Sequence, residues 1–192
     1  MNKNTIFFAL SILGLVILSA CALAAGSSAN ENKILVSASV LPEKYFIERI
    51  GGEFVQVNIM VGPGESPHSY EPKARQMAAL SNSIIYFAIG VEFEDAWMER
   101  ITSSNTGLQV IDLSQGIKKL PSAEADHPDE DDPHVWTSPR LAKSIAEHIT
   151  AALIEADPQH SAVYQKNLEF LLADISDLQA EIAQSITHME TR

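Results

Sequence analysis

Short apolar runs alternate with helical periodicities through the first part of the chain. Four runs of strand length occupy residues 34–38, 54–61, 83–89 and 110–113. Between them, apolar residues recur every three or four positions, which predicts helices over residues 41–50, 72–80 and 93–101. Strands that alternate with helices are typical of an α/β fold with a parallel sheet. We therefore predict a parallel four-stranded sheet flanked by helices, within a lobe that spans residues 33–156.

The last part of the chain has helical periodicity only. Residues 138–156 predict one helix, and Asp157-Pro158 supply an N-cap and a first-turn proline for another. No glycine or proline follows, and the predicted helix carries an apolar stripe formed by Leu168, Leu171, Leu172, Ile175, Leu178, Ile182, Ile186 and Met189. A helix of about 35 residues is about 50 Å long, more than a lobe of this size covers. We interpret residues 157–192 as a linking helix to a second lobe that this sequence lacks, and an exposed coiled-coil tail is the alternative.

The beginning of the chain has the pattern of an export signal. The apolar run 6–18 follows Lys3 and is shorter than the roughly 20 residues of a membrane span, which predicts a signal peptide over residues 1–20. The sequence Leu18-Ser19-Ala20-Cys21 resembles the lipobox of bacterial lipoproteins, and Cys21 is the only cysteine. We therefore expect lipidation of Cys21, a tether over residues 21–32 and an extracytoplasmic location. Ordinary cleavage near Ala25 is the alternative.

Two histidines stand in similar settings and predict a metal site. His68 lies in the segment 63–72 and His134 in the segment 132–139, each directly after a proline. Each histidine follows a predicted strand and precedes a predicted helix, so both are expected at the carboxyl edge of the sheet, where parallel α/β folds bind ligands. Imidazole nitrogen suits zinc and related transition metals. The net charge of −12 attracts cations and argues against nucleic acid as a partner.

At these residues the chain resembles the solute-binding proteins of bacterial and archaeal zinc and manganese ABC uptake systems. The segments 63–72 and 132–139 are similar to that family's two ligand motifs, and residues 79–81 and 89–97 are similar to the segment between them. Thr137 departs from the pattern, because leucine is usual at that position. The resemblance runs from about Lys33 to the end of the chain.

This resemblance implies that His68 and His134 are two metal ligands of an N-terminal lobe. It further implies a rigid helix that leads to a C-terminal lobe, which supplies a histidine or acidic ligand and a carboxylate. A closed zinc site needs about four donors, so we interpret the chain as an incomplete, N-terminal form. The expected partners are a divalent metal ion and an inner-membrane ABC permease, and the chain is expected to be monomeric.

Other polar residues are weaker candidates. The acidic segment before His134 is either a solvated loop or an auxiliary metal-gathering loop formed by His127, Asp129, Glu130, Asp131 and Asp132. Glu71 is a candidate to orient a histidine, although a place at the start of a helix explains it equally well. We interpret His148, His160 and His188 as surface or packing residues.

Two other function classes compete with metal capture. An exported zinc-dependent hydrolase is disfavoured, because the sequence has no His-Glu-x-x-His motif and no serine nucleophile elbow. A surface adhesin lipoprotein would need an exposed apolar surface that the sequence does not reveal. Between the two metals, the paired histidines and His127 favour Zn²⁺, with Mn²⁺ as the alternative.

Overall fold

A parallel four-stranded sheet lies at the centre of the computed structural model, which describes residues 33–122 and 131–190. The strands are β1 (Ile34–Ala38), β2 (Val55–Ile59), β3 (Ile85–Ala88) and β4 (Gln109–Asp112). Their order in the sheet is β2-β1-β3-β4, and all three pairings are parallel. The predicted fold class is confirmed.

Within these described residues five α-helices accompany the sheet: α1 (Leu41–Gly51), α2 (Ala74–Leu80), α3 (Glu92–Ser104), α4 (Pro139–Ala156) and α5 (Ser161–Glu190). Short 3₁₀ turns cover Gly52–Phe54, Val135–Thr137 and Pro158–His160. The predicted signal peptide, Cys21, the tether, His127, Asp129 and Glu130 lie outside the described residues. None of the helices within the described ranges combines the length and the apolar character that a membrane crossing requires.

The core is formed where α1, α4 and α5 pack together and where the sheet is covered by helices. All four residues of β3 are buried. Two of them, Tyr86 and Phe87, are among the largest fully buried side chains of the core. This burial agrees with the sequence of β3, which is apolar almost throughout, as expected for a parallel strand covered on both faces.

The long helix α5 changes character along its length. Its first half is packed against the lobe through Tyr164, Leu168, Leu171 and Ile175, which are all buried. Farther along, the apolar stripe is exposed at Leu178, Ile182 and Ile186. An uninterrupted terminal helix is thus present, and its role as a link to another lobe stays a prediction.

Asp157, at the junction between α4 and α5, takes the predicted N-cap position, with Pro158 in the first turn after it, but its side chain makes no capping hydrogen bond. Its Oδ2 atom instead accepts hydrogen bonds from the Tyr164 hydroxyl at 2.5 Å and from His160 Nδ1 at 2.6 Å. The His160 ring stacks on Phe54 with centroids 3.8 Å apart. Asp157 therefore joins the start of α5 to the sheet layer through side chains, and His160 is a packing residue as predicted.

Gly51, the last residue of α1, lies too close to β2 for any side chain. A Cβ atom built on Gly51 would stand 2.4 Å from Val55 Cγ2 and 2.6 Å from Val55 Cβ. We expect Gly51→Ala to lower the free energy of unfolding by about 1–3 kcal/mol, the range typical of overpacking. Urea denaturation measures the change. Gly107→Ala is the matched control, because a Cβ there meets only Asn105 Oδ1 at 3.5 Å, and equal urea midpoints for the two variants would contradict the expectation.

Candidate metal centre

The loop that carries His68 is held against the end of β2 by one buried side chain, Gln76. Gln76 Nε2 donates to the carbonyl oxygens of Ile59 and Met60 at 2.8 and 2.6 Å. Its Oε1 atom accepts from the Tyr70 hydroxyl at 2.5 Å and from the Lys73 amide at 3.0 Å. These four bonds, which we call the Gln76 clamp, fix both ends of the loop. They also explain why α2 begins at Ala74 and not at residue 72, since the Gln76 side chain caps the Lys73 amide.

A second set of contacts shapes the start of the same loop. The Gly62 amide donates to Glu65 Oε2 at 2.8 Å, and Lys73 Nζ forms an ion pair with Glu65 Oε1. Gly64 has a φ of 78°, a backbone conformation that glycine adopts without strain. The turn 62–65 is therefore closed locally before the chain reaches His68.

His68 itself is partly exposed and lies beside a carboxylate. Its side chain is 43% accessible, and its Nδ1 atom is 2.9 Å from Glu92 Oε1. Glu92 is the first residue of α3, in the connection that follows β3. The carboxylate beside His68 thus comes from the connection between β3 and α3 and not from the loop of His68 itself. Glu71, which the sequence suggested as the residue that orients a histidine, is exposed.

His134 is arranged differently, with its carboxylate partner on its own loop. Asp132 Oδ1 accepts the His134 amide at 2.9 Å and lies 2.8 Å from His134 Nδ1. These hydrogen bonds, first from the backbone and then from the ring of His134, lower the pKa of the Asp132 carboxyl. The 3₁₀ turn Val135–Thr137 follows at once, with Val135 buried as its anchor.

The surroundings of His134 combine aromatic and basic groups. The His134 side chain is 46% accessible, and its ring centroid is 5.0 Å from that of Trp136. A cavity of about 120 Å³ lies alongside and is lined by His134, Asp132, Lys118 and Lys119, among others. The imidazole therefore borders a small depression that is open to solvent and combines charged side chains with an apolar lining.

The two histidine loops reach the carboxyl edge of the sheet from its two sides. His68 follows β2 and His134 follows β4, and these are the outer strands of the sheet. β2 and β4 are three strand spacings apart, and at about 4.8 Å per spacing this puts them about 14 Å from each other. The two loops must therefore extend toward each other if both histidines are to bind one metal ion. Within residues 33–122 and 131–190, no group of three or more His, Cys, Asp or Glu side chains is placed to hold a metal ion.

A buried polar network underlies the same edge of the sheet. Glu94 Oε1 accepts from the Ser39 hydroxyl and from the Ile89 amide at 3.0 Å, and Glu94 Oε2 accepts from the Gly90 amide at 2.8 Å. Ser39 Oγ also lies 2.7 Å from the Tyr86 hydroxyl. Burial raises the pKa of Glu94 despite these hydrogen bonds, and burial likewise raises the pKa of Tyr86. The network holds residues 89–90 in place directly before Glu92.

Glu43 is a second buried carboxyl at this edge. Its side chain is fully buried, and its Oε2 atom accepts from the Val40 amide at 2.6 Å. Its Oε1 atom has no hydrogen-bond partner among the described residues. Burial, and then repulsion from Glu94, raises the pKa of Glu43 well above its ordinary value.

Four residues of this region were not predicted from the sequence: Glu43, Gln76, Glu92 and Glu94. Of these, Glu94 could have been found, because it is an acidic residue on the apolar face of a predicted helix.

Comparison with known proteins identifies the family. Residues 36–192 match the family model described as "Zinc-uptake complex component A periplasmic". The chain belongs to this family. The match confirms the resemblance to the solute-binding proteins of zinc and manganese ABC uptake systems, and it covers both histidine loops and α5.

Relatives in the zinc-uptake component A family include zinc and manganese binders. The chain is 30% identical over 189 residues to the manganese-binding lipoprotein MntA of Halalkalibacterium halodurans, which covers 97% of this chain and 61% of that protein. It superposes on a zinc-bound crystal structure of a ZnuA deletion mutant with a TM-score of 0.75 and 38% identity, over 80% of this chain and 58% of that one. A manganese-bound periplasmic metal-binding protein from Candidatus Liberibacter asiaticus gives a TM-score of 0.68 with 25% identity, over 76% and 54% of the two chains. The chain thus spans a little over half of each relative's length.

Proposed function

We propose that this chain captures a divalent metal ion outside the cytoplasmic membrane, with His68 and His134 as two of its ligands, for delivery to an ABC permease. The observation that carries the proposal is the position of the two imidazoles. Each is partly exposed on a loop at the carboxyl edge of one parallel sheet, where such folds bind ligands. The metal is the substrate of this protein, and no covalent chemistry is required of it. Relatives named for metal binding, in a family of uptake components, support this class of function over a hydrolase.

Zinc is the metal we favour. Two imidazole nitrogens suit Zn²⁺ better than Mn²⁺, which prefers carboxylate, carbonyl and water oxygens. A zinc site needs about four donors, and the two histidines supply two. We propose that the others lie outside the described residues, in a part of the longer relatives that this chain does not match. In this proposal α5 is the link to that part.

Further parts of the proposal concern location and assembly. Lipidation at Cys21 would anchor the chain to a membrane, and residues 21–32 would serve as its tether. The acidic segment that ends in Asp131 and Asp132 would raise the local concentration of cations near His134. We propose that the protein works as a monomer, since the permease is its expected macromolecular partner.

Metal titration tests the histidine ligands. Zinc affinity would be measured by competition with a chromophoric chelator, in parallel with manganese. We expect His68→Ala and His134→Ala each to weaken zinc binding by about 100-fold or more, since loss of a ligand exceeds the 10–100-fold cost typical of outer-shell partners. His188→Ala is the control, because it removes an imidazole from α5 and not from either loop. Unchanged zinc affinity in either loop variant would refute the assignment of that residue, and tighter binding of manganese than of zinc would refute the choice of metal.

A further inference from the structure

Glu92 reaches the candidate centre from an element that carries neither histidine. Its Oε1 atom lies 2.9 Å from His68 Nδ1, and its side chain is 29% accessible. Its Oε2 atom is buried and, within the described parts of the chain, accepts no hydrogen bond. One oxygen of this carboxylate therefore stands against the imidazole as an ion-pair contact, and the other oxygen is buried.

The backbone around Glu92 is fixed on both sides. Val91 and Phe93 are buried, and the amides of Ile89 and Gly90 are bonded to Glu94. The Phe93 ring also packs edge to face against Tyr70, with centroids 5.4 Å apart. The start of α3 is therefore joined to the His68 loop through Tyr70, a member of the Gln76 clamp, as well as through the Glu92–His68 pair.

We propose that Glu92 is the positioning residue for His68: its carboxylate accepts a hydrogen bond from Nδ1–H and thereby places the lone pair of the imidazole on Nε2, the nitrogen that would bind the metal. A neutral imidazole has one protonated nitrogen and one lone-pair nitrogen, and the hydrogen bond at one nitrogen decides which is which. A carboxylate partner also makes the ligand nitrogen more basic. The metal-binding part of this statement rests on the proposed function, whereas the tautomer does not.

The role of Glu92 differs from that of Asp132 at the other histidine. Asp132 accepts both the amide and the ring of His134 two residues away, so it also closes its own turn. Glu92 belongs to α3 and contacts His68 across the strand connections. Removing its carboxylate should thus change the His68 ring without opening the turn that carries it.

Nitrogen NMR of the metal-free protein tests the tautomer. The 192-residue chain with ¹⁵N-labelled histidine would be studied by two-bond ¹H–¹⁵N correlation at about pH 8.5, where imidazole side chains in general are neutral. We expect His68 to show a protonated Nδ1 and a lone-pair Nε2. In Glu92→Ala we expect a shift toward the Nε2–H form, which imidazole side chains favour in water. In Glu92→Gln the amide oxygen still accepts Nδ1–H, so the original tautomer should be retained.

Zinc titration of the same variants supplies the second measurement. We expect Glu92→Ala to weaken zinc binding by about 10–100-fold, as outer-shell partners do, and Glu92→Gln to recover part of that loss. Glu99→Ala, on an exposed position of the same helix, removes the same charge and should change neither measurement. A Nε2–H tautomer in the unsubstituted protein, or an unchanged tautomer in Glu92→Ala, would overturn the proposal. Because the tautomer is read without metal, a failure of the proposed zinc binding would be seen separately.

Discussion

Replacing Gln76 by leucine is expected to lower the free energy of unfolding by about 3–5 kcal/mol. The substitution keeps the volume of a side chain that is 8% exposed but removes all four hydrogen bonds of the Gln76 clamp. Each buried polar group left without a partner costs about 1–3 kcal/mol. The Tyr70 hydroxyl is the most affected group, because Tyr70 is a buried residue and Gln76 is the acceptor of its hydroxyl.

Urea denaturation followed by circular dichroism measures this loss, and Gln179→Leu, on an exposed position of α5, is the control. The stability of Gln76→Glu should fall between that of the leucine variant and that of the unsubstituted protein. A carboxylate accepts hydrogen bonds from Tyr70 and Lys73, but it cannot donate to the carbonyl oxygens of Ile59 and Met60. Zinc affinity should fall as well, since the clamp fixes the loop of His68. A leucine variant within about 1 kcal/mol of the unsubstituted protein would show that the clamp contributes little.

Asp157→Ala is the second substitution with a large expected effect, again about 3–5 kcal/mol, the range found when one partner of a buried pair is removed. Asp157 is 5% exposed, and it is the acceptor for both the buried Tyr164 hydroxyl and the ring of His160. Alanine leaves both donors without this acceptor at the point where α5 begins. We therefore expect the midpoint of thermal unfolding to fall and the start of α5 to lose protection from hydrogen exchange.

The effect of Asp157 should depend on pH in one direction. Burial alone would raise the pKa of this carboxyl, but the hydrogen bonds from Tyr164 and His160 outweigh burial and lower the pKa from its ordinary value. A carboxyl with a lowered pKa stabilises the fold above the pKa of the unfolded chain, about 3.9 for aspartate, and loses that contribution as the pH falls through the folded-state pKa. The difference in stability between the unsubstituted protein and Asp157→Ala should thus be full at about pH 7 and shrink below about pH 4. Asp177→Ala, exposed on the same helix, is the control, and a difference that grows in acid would contradict the assignment.

The sheet could be predicted from sequence because its signals are local. β3 is apolar almost throughout and proved to be buried at every position, and the strand–helix alternation was enough to predict parallel pairing. The order β2-β1-β3-β4 could not be read from the sequence, since it depends on which faces the connecting helices cover. Asp157 takes the predicted N-cap position, but its side chain accepts from Tyr164 and His160 and not from a backbone amide, which the local pattern could not foretell.

The candidate site shows the same division between local and distant information. His68 and His134 could be found because each motif is contiguous, and their assignment as ligands stays a prediction. Their supporting residues could not be found, because Glu92 meets His68 across two strand connections and Gln76 joins a helix to the end of a strand. Glu71 was a candidate only through its proximity in sequence, which says little about which carboxylate a loop will meet in space.

The position of β1 bears on the order in which this fold forms. Although β1 comes first among the strands, it lies inside the sheet, with Val36 paired to Val57 on one side and to Ile85 on the other. The pairing of β1 with β2 closes a short loop, whereas the pairing of β1 with β3 closes a loop about twice as long. The shorter loop loses less entropy when it closes. The pairing of β3 with β4 closes a loop about as short, so β1–β2 and β3–β4 should form first and the sheet should be completed when β1 pairs with β3. A chain that has emerged only as far as β2 exposes one edge of β1, so this edge stays open to pairing with another strand until Ile85 arrives.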